Sequence, residues 1–417
     1  MAKLVIEGGY PLKGTIVVPG SKNAATPIMA AALLVRGVSI IERVPEISDV
    51  AKMLELVQGL GAKVTRAAST VTIDATNLEP AGLKRDLVKA MRSSVLLFGP
   101  LLARFGTVEL PEPGGCIIGR RPLDAHLQGL AQLGVEVKLE GDTYRLTVRE
   151  HLQGAHVVLP EFSVTATENV LMAAVLAHGT TTIDIAAAEP HVQDLCHFLV
   201  AAGARISGIG THQLVVEGVG ELHGVTHQLI PDGTEAGTWA VLAAVSRGEL
   251  TIGPIVEQHL ELPLYKLRQA GVNFEVKGDQ LVVRASRQLK ALRLQALPYP
   301  GFPTELQAPF AVLATQANGT SLIHDPLYEG RMNHIAELTK MGADAVIADP
   351  HRVVISGPTP LYGREIRSFD LRAGATLVIA GLIAQGETII HDVEVVDRGY
   401  EHLDERLRAV GAKLRRE

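Results

Sequence analysis

Three basic residues stand where the start of a helix disfavours them. Lys22 follows Pro19-Gly20-Ser21, Arg92 follows Met91, and Arg372 follows Asp370-Leu371, each leading into a nearly apolar helical run. A helix start carries free N–H groups and a partial positive charge, so a cation in its first turn opposes the dipole. Three breaches of one local rule at equivalent places point to a site that faces a negative ligand. Arg331 in Glu329-Gly330-Arg331 and Arg398 in Asp397-Arg398-Gly399-Tyr400 add cations in turn contexts. With Arg121 the set exceeds what one phosphate needs, and suits a substrate with phosphate plus carboxylate, or several anionic groups. The segment from Glu112 to Pro122 places Cys116 among glycines and ahead of Arg120-Arg121. A thiol near cations is reactive because its pKa falls, and a glycine-rich loop of this length can act as a lid. Cys196, in Asp194-Leu195-Cys196-His197-Phe198, reads instead as a small buried apolar residue. Ser94, Ser163 and Thr167 serve equally well as helix caps or as site residues.

The elements that must hold these residues repeat along the chain. A helical stretch ends in Gly-Ala or Gly-Val and runs into an alternating strand at Gly61, Gly134, Gly203, Gly271, Gly342 and Gly411, with spacings of 73, 69, 68, 71 and 69. A second mark, an apolar helix followed by glycine, falls at Gly37, Gly106, Gly179, Gly248, Gly319 and Gly386, with spacings of 69, 73, 69, 71 and 67. Glycine suits both places because it enters the left-handed conformation beyond a helix end without strain. Each repeat therefore reads strand, helix, strand, helix, strand, turn, strand, and six repeats group as two sets of three. The first helix of each repeat is apolar nearly all round, so it is buried. The expected fold is α/β, two compact groups of three repeats, with helices inside and sheets outside.

Length and composition agree. The chain has 417 residues, 47% hydrophobic and 20% charged, enough for two sizeable cores. Its formal charge of −6 leaves no global basic footprint for nucleic acid. Two cysteines imply no disulfide framework and a reducing compartment. The longest apolar stretches, 24–35 and 375–384, are well short of the roughly 20 residues of a membrane span. The N-terminus does not read as a signal peptide. The expectation is a cytoplasmic monomer with no membrane or nucleic-acid partner. No dinucleotide or P-loop glycine pattern is present, and the fifteen histidines show no metal-ligand spacing, so no metal and no cofactor are expected.

Pro19-Gly20-Ser21-Lys22-Asn23-Ala24, the Pro-Gly-Gly-Cys-x-Ile-Gly-x-Arg-Pro-x-Asp pattern within 113–124, Gly301-Phe302-Pro303-Thr304-Glu305 and Asp397-Arg398-Gly399-Tyr400-Glu401 resemble the enolpyruvyl transferases over the whole chain. The cysteine loop resembles the branch that uses UDP-N-acetylglucosamine rather than 3-phosphoshikimate. The resemblance implies two similar domains, each an inside-out α/β barrel of three βαβαββ repeats: a discontinuous one of residues 1–21 and 230–417, and a second of 22–229. It implies transfer of enolpyruvyl from phosphoenolpyruvate to the 3-hydroxyl of UDP-N-acetylglucosamine, with phosphate released, as the first committed step of peptidoglycan synthesis. By that resemblance Lys22, Arg121 and Arg398 hold phosphate, Arg331 and Arg372 hold carboxylate, and Asn23 touches the reacting centre. Arg92 and Arg121-Pro122-Leu123-Asp124-Ala125 line the sugar-nucleotide site, with Ser163, Val164 and Thr165 at the nucleotide. Leu327 and Asp370 complete the substrate-binding set. Cys116 is the implied proton donor to carbon and Glu305 the implied base. The family's Pro-Thr-Asp is here Pro303-Thr304-Glu305, its Ser-Val-Gly is Ser163-Val164-Thr165, and Glu161 stands where a lysine often lies. Two other readings fit the same residues: another enolpyruvyl acceptor, or a paralogue that binds sugar nucleotide with little turnover.

Overall fold

A helix without a polar face has to be surrounded. The computed structural model describes residues 2–80, 83–114 and 122–417 and contains six such helices. They are labelled α1 (Lys22–Ala31), α2 (Phe98–Phe105), α3 (Val164–Ala174), α4 (Gly233–Val245), α5 (Gln307–Thr315) and α6 (Leu371–Ile383). All nine residues of α5 are buried, as is every residue of α6 except Ile383. The remaining helices, such as Ser48–Gly59 and Asp124–Gln132, are amphipathic and bury one face only. The fold is mixed α/β, with apolar helices inside and sheets outside.

The chain divides into two compact units. Among the described residues, a terminal unit holds 2–19 and 231–417, and a central unit holds 20–114 and 122–230. Each has its own continuous apolar core, with α1 in the central one and α4, α5 and α6 in the terminal one. The chain enters the central unit between Pro19 and Gly20 and leaves it between Ile230 and Pro231. Gly20 is required there: a Cβ would lie 1.9 Å from the Arg43 carbonyl oxygen, which no side chain tolerates. The exit is held by Asp194, whose carboxylate accepts from the Ile230 amide at 3.2 Å and pairs with His227 at 2.9 Å.

The sheets show why the repeat works. In the third, fifth and sixth repeats a short strand ahead of the buried helix pairs in parallel with the strand behind it, and a hairpin continues the sheet antiparallel; in the first and fourth the leading strands are exchanged, Thr226–Gln228 pairing with Val38–Glu42 and Lys13–Val17 with Glu249–Gly253. In the fifth repeat Arg293–Gln295 lies beside Gly319–His324, followed by Arg352–Gly357 and Asp344–Asp349. The register puts Leu294, Ile323 and Val353 side by side, all buried, so one face of the sheet closes over the helices.

Two repeats depart from the strand-helix-strand-helix-hairpin expectation. The second repeat has only three strands, Thr107–Pro111, Val135–Glu140 and Thr143–Val148, with no leading strand among the described residues. Pro80 lies in that stretch and has no N–H to give a ladder. The sixth repeat is completed from the other end of the chain. Lys3–Glu7 fills the hairpin place, antiparallel to both Glu387–His391 and Lys413–Arg416. Two buried helices also start later than the polar residues suggest. Arg92–Leu97 and Thr304–Leu306 are 3-10 turns, and α2 and α5 follow them with Pro100 and Pro309 at their third residues. Proline is tolerated there because first-turn N–H groups have no acceptor within the helix.

Three acids are buried among the described residues of the central unit, Asp49, Glu168 and Asp194. Glu168 of α3 is 1% exposed, and one carboxyl oxygen has no hydrogen-bond partner. Burial, reinforced by Glu189, pushes its pKa well above the ordinary value, so the folded state keeps it neutral. A group with a raised folded pKa contributes full stability below its unfolded pKa and loses it as pH rises through the folded pKa. Glu168→Gln removes that loss. Thermal unfolding followed from pH 5 to 9 should show the variant gaining on the parent as pH rises; a pH-independent difference would contradict a neutral buried acid.

Candidate functional site

In the terminal unit the starts of α5 and α6 meet at a small pocket lined by Thr304, Glu305, Gln307, Ala308, Arg331, His334, Asp370, Arg372 and Ala373. Asp370 caps α6: one carboxylate oxygen accepts from the amides of Arg372 and Ala373 at 2.9 and 3.0 Å. Asp232 caps α4 in the same manner through the Glu235 amide. Arg372, 8% exposed, sits in the first turn of α6 with its guanidinium 5.5 Å from the centre of the Tyr400 ring. Burial disfavours its charge, yet Tyr400, Asp232 and Glu305 outweigh burial and hold its pKa above the ordinary value. Its Nη1 is buried without a hydrogen-bond partner.

Arg331 is held differently. Its Nη1 donates to Thr304 Oγ1 at 2.6 Å, and Thr304 donates onward to Asp325 at 2.5 Å. Asp325 is fully buried, and burial raises its pKa against the lowering effect of the Thr304 bond. Gln307 donates to the Arg331 carbonyl at 3.0 Å, while its own amide oxygen is unpartnered. His334 is fully buried, and burial pulls its pKa down to about 4 even though Asp370 favours its charged form. The pocket thus presents two guanidinium groups, one neutral imidazole and the Glu305 carboxylate. It can bind a carboxylate beside a base. Leu327 is exposed, and its amide donates to the Asp325 carboxylate at 3.0 Å. Arg398 closes the 3-10 turn Val393–Arg398, two residues before Tyr400.

The central unit carries a second set. Lys22 opens α1, and its Nζ lies 3.2 Å from Asp49, a nearly buried carboxylate in the first turn of Ser48–Gly59. That pairing answers the dipole conflict, and Asn23 follows on the same turn. Arg92 donates to the Pro122 carbonyl at 3.1 Å. Leu123 and Ala125 are buried while Pro122 and Asp124 are exposed. Ser163 caps α3 through the Ala166 amide, so Val164 and Thr165 occupy its first turn. Behind them lies a directional network. Gly99 donates to Asn169 Oδ1 and Asn169 Nδ2 donates to Val95, which fixes the amide orientation. The same Nδ2 faces His126 Nδ1 at 2.9 Å, so that nitrogen accepts and Nε2 carries the proton. His126 Nε2 then donates to Thr165 Oγ1 at 3.0 Å, and the threonine hydroxyl hydrogen is left for another acceptor.

The structure brings Glu305, Arg331, Asp370 and Arg372 into one pocket, and links Arg92 to Pro122 and Thr165 to the helix that begins at Asp124. Cys116 and Arg121, with Arg120, lie outside the described residues. Cys196 is buried, and burial lifts its thiol to about 12, as an inert core cysteine requires. Sequence reasoning missed Asp49, His126, Asn169, Asp325, His334 and Tyr400. Tyr400 stood within a quoted motif without a role, and Asp49, an acid in a first turn, reads as an ordinary dipole partner.

The comparisons follow this geometry. Residues 6–407 match the family model for EPSP synthase (3-phosphoshikimate 1-carboxyvinyltransferase). The chain is 44% identical to the UDP-N-acetylglucosamine 1-carboxyvinyltransferase of Koribacter versatilis, covering 100% of this chain and 96% of that protein. It is also 44% identical to the protein of that name from Magnetococcus marinus, covering 100% and 99%. The chain belongs to the enolpyruvyl (1-carboxyvinyl) transferase family. Among solved structures, the enolpyruvyl transferase NikO from Streptomyces tendae aligns at TM-score 0.91 and 27% identity, covering 100% of this chain and 98% of that one. EPSP synthase from Acinetobacter baumannii shares the fold at TM-score 0.77 and 21% identity, with full coverage of both chains.

His334 makes the pocket pH-sensitive. Its folded pKa of about 4 lies below the usual histidine value, so the unfolded state binds the extra proton first. Stability is present above about 6.5 and is lost as pH falls toward 4, by on the order of 3 kcal/mol. Denaturant unfolding of the parent and His334→Gln between pH 7 and 4 should show the parent losing more stability; parallel curves would mean His334 is not buried neutral.

Proposed function

We propose that this enolpyruvyl transferase moves the enolpyruvyl group of phosphoenolpyruvate to the 3-hydroxyl of UDP-N-acetylglucosamine, the first committed step of peptidoglycan synthesis. The name shared by relatives 42–44% identical over essentially the whole chain supports this acceptor. The observation that carries the chemistry is the pocket in which Glu305 faces Arg331 and Arg372. A carboxylate-bearing substrate and a base for a hydroxyl are what the reaction needs side by side.

The sugar oxygen bonds to C2 of phosphoenolpyruvate while C3 takes a proton, giving a tetrahedral ketal. C3 then loses a proton, the double bond re-forms, and the C2–O bond to phosphate breaks. In this reading Arg331 and Arg372 hold the carboxylate, and Lys22, Arg121 and Arg398 hold the phosphate. Asn23 touches the reacting centre, Glu305 takes the hydroxyl proton, and Cys116 protonates C3. Fixed guanidinium groups stabilise the developing charge without reorganising. Arg92, Pro122, Leu123, Asp124 and Ala125 line the sugar-nucleotide site, with Ser163, Val164 and Thr165 at the nucleotide. Leu327 and Asp370 bind substrate, Asp370 through the helix start it caps. Thr165, in place of the family's glycine, offers the hydroxyl hydrogen that His126 has oriented. The reading requires no cofactor, and makes the chain a cytoplasmic monomer acting on two small molecules. Among the described residues no helix is long and apolar enough to cross a membrane.

Phosphate release from phosphoenolpyruvate tests the proposal. Release should depend on UDP-N-acetylglucosamine, fail with 3-phosphoshikimate, and stop after alkylation by fosfomycin. Glu305→Gln should lower kcat by about 10²–10⁴ with smaller effects on KM. Glu305→Asp should retain activity, since the family's acid is the shorter one. Acceptor-dependent release that survives Glu305→Gln would remove Glu305 as the base, and binding of both ligands with no release would favour a non-catalytic paralogue.

A further inference from the structure

Tyr400 lies outside the pocket lining, yet its phenol is joined to the pocket. It is 2% exposed, and its ring packs under the Arg372 guanidinium at 5.5 Å. The Tyr400 hydroxyl lies 3.1 Å from Thr238 Oγ1 in the second turn of α4. Thr238 has one hydroxyl hydrogen, and it goes to the Thr234 carbonyl at 2.8 Å. Tyr400 must therefore be the donor to Thr238. The lone pairs of the phenol are then free to accept from the Arg372 guanidinium, which lies 5.5 Å from the ring centre. Every proton in the sequence Arg372, Tyr400, Thr238, Thr234 has one direction, and the chain ends on a main-chain carbonyl that cannot turn. The effect is to pin one side of the guanidinium and leave Nη1, buried and unpartnered, with donor capacity to spare. Arg331 is held by an analogous hydroxyl relay through Thr304, but that one ends on a carboxylate.

We propose that Tyr400 is a positioning residue for phosphoenolpyruvate binding: through the one-way hydroxyl chain to Thr238 it fixes Arg372 with Nη1 aimed at the substrate carboxylate. This rests on the assignment of Arg372 to that carboxylate. The hydroxyl does the orienting, while the ring supplies a flat apolar support against which the guanidinium can be desolvated without losing its charge. The relay behind Arg372 ends on a neutral carbonyl, whereas the relay behind Arg331 ends on a protein acid, Asp325.

Steady-state kinetics on the full chain separate the possibilities. Tyr400→Phe keeps the ring and removes the hydroxyl; it should raise KM for phosphoenolpyruvate about tenfold, the scale of losing one hydrogen bond to a charged group, with KM for UDP-N-acetylglucosamine unchanged and kcat within a few-fold. Thr238→Val should do the same, Thr238→Ser should restore near-parental KM, and the Tyr400→Phe/Thr238→Val double variant should be no worse than the worse single one, because both cut one chain. The Thr238 pair keeps the test decisive if Tyr400→Phe folds poorly. Arg372→Lys is the control for the underlying assignment. If it leaves KM for phosphoenolpyruvate unchanged, Arg372 is not the carboxylate anchor and the proposal falls with that reading. If it raises KM while Tyr400→Phe and Thr238→Val do not, Arg372 needs no positioning and the proposal alone is wrong.

Discussion

Burial of positive charge at the start of an apolar helix is the interaction on which the rest depends. The helix dipole opposes it, and desolvation opposes it. The molecule answers with groups brought from other elements. Asp49 comes from a neighbouring helix to Lys22, and Tyr400 comes from the segment after a 3-10 turn to Arg372. The side-chain caps Asp232, Asp370 and Ser163 close the N–H groups of their helices. Among the groups left unanswered, Arg372 Nη1 is a buried donor of a residue that lines the pocket. An oxygen of a bound anion can accept from it.

The inside-out arrangement makes such a constraint possible. In many α/β folds the sheet is central and helix starts lie at its edge. Here the helices are the core, so the starts of α5 and α6 approach one another directly. The surrounding sheets close by pairing strands distant in sequence, including Lys3–Glu7 with Lys413–Arg416. The terminal unit therefore holds both ends of the chain in one sheet, with Gln307 and Arg372 of the pocket on helices that the sheets cover. Rigid elements rather than loops carry Arg372 and Asp370, which suits groups that must keep a fixed orientation toward a charged transition state.

Much of this was legible from glycine. Gly106, Gly179, Gly319 and Gly386 have positive φ, the conformation that lets a helix stop and a strand begin, and their spacing exposed the repeat. Of the misplaced cations Lys22, Arg92 and Arg372, Arg372 lines the pocket. The groups that steady them were not legible, because their partners lie far away in sequence: Lys22 meets Asp49 from the next helix, and Tyr400 meets Thr238 across 162 residues. His334 and Asp325 look like ordinary surface polar residues until the fold buries them. The missing strand of the second repeat and the borrowed strand of the sixth escaped for a related reason. A period read along the chain cannot show that its first segment closes its last sheet.

The central claim is that the reacting carbon passes through a methyl stage, protonated and then deprotonated, while Glu305 takes the acceptor proton. Running the reaction in D2O and reading the vinyl carbon of the sugar product by mass spectrometry tests this most directly. Addition and elimination predict deuterium in the product methylene, because the added proton becomes one of three on a rotating methyl group. A product formed at full rate with no deuterium at that carbon would contradict the account.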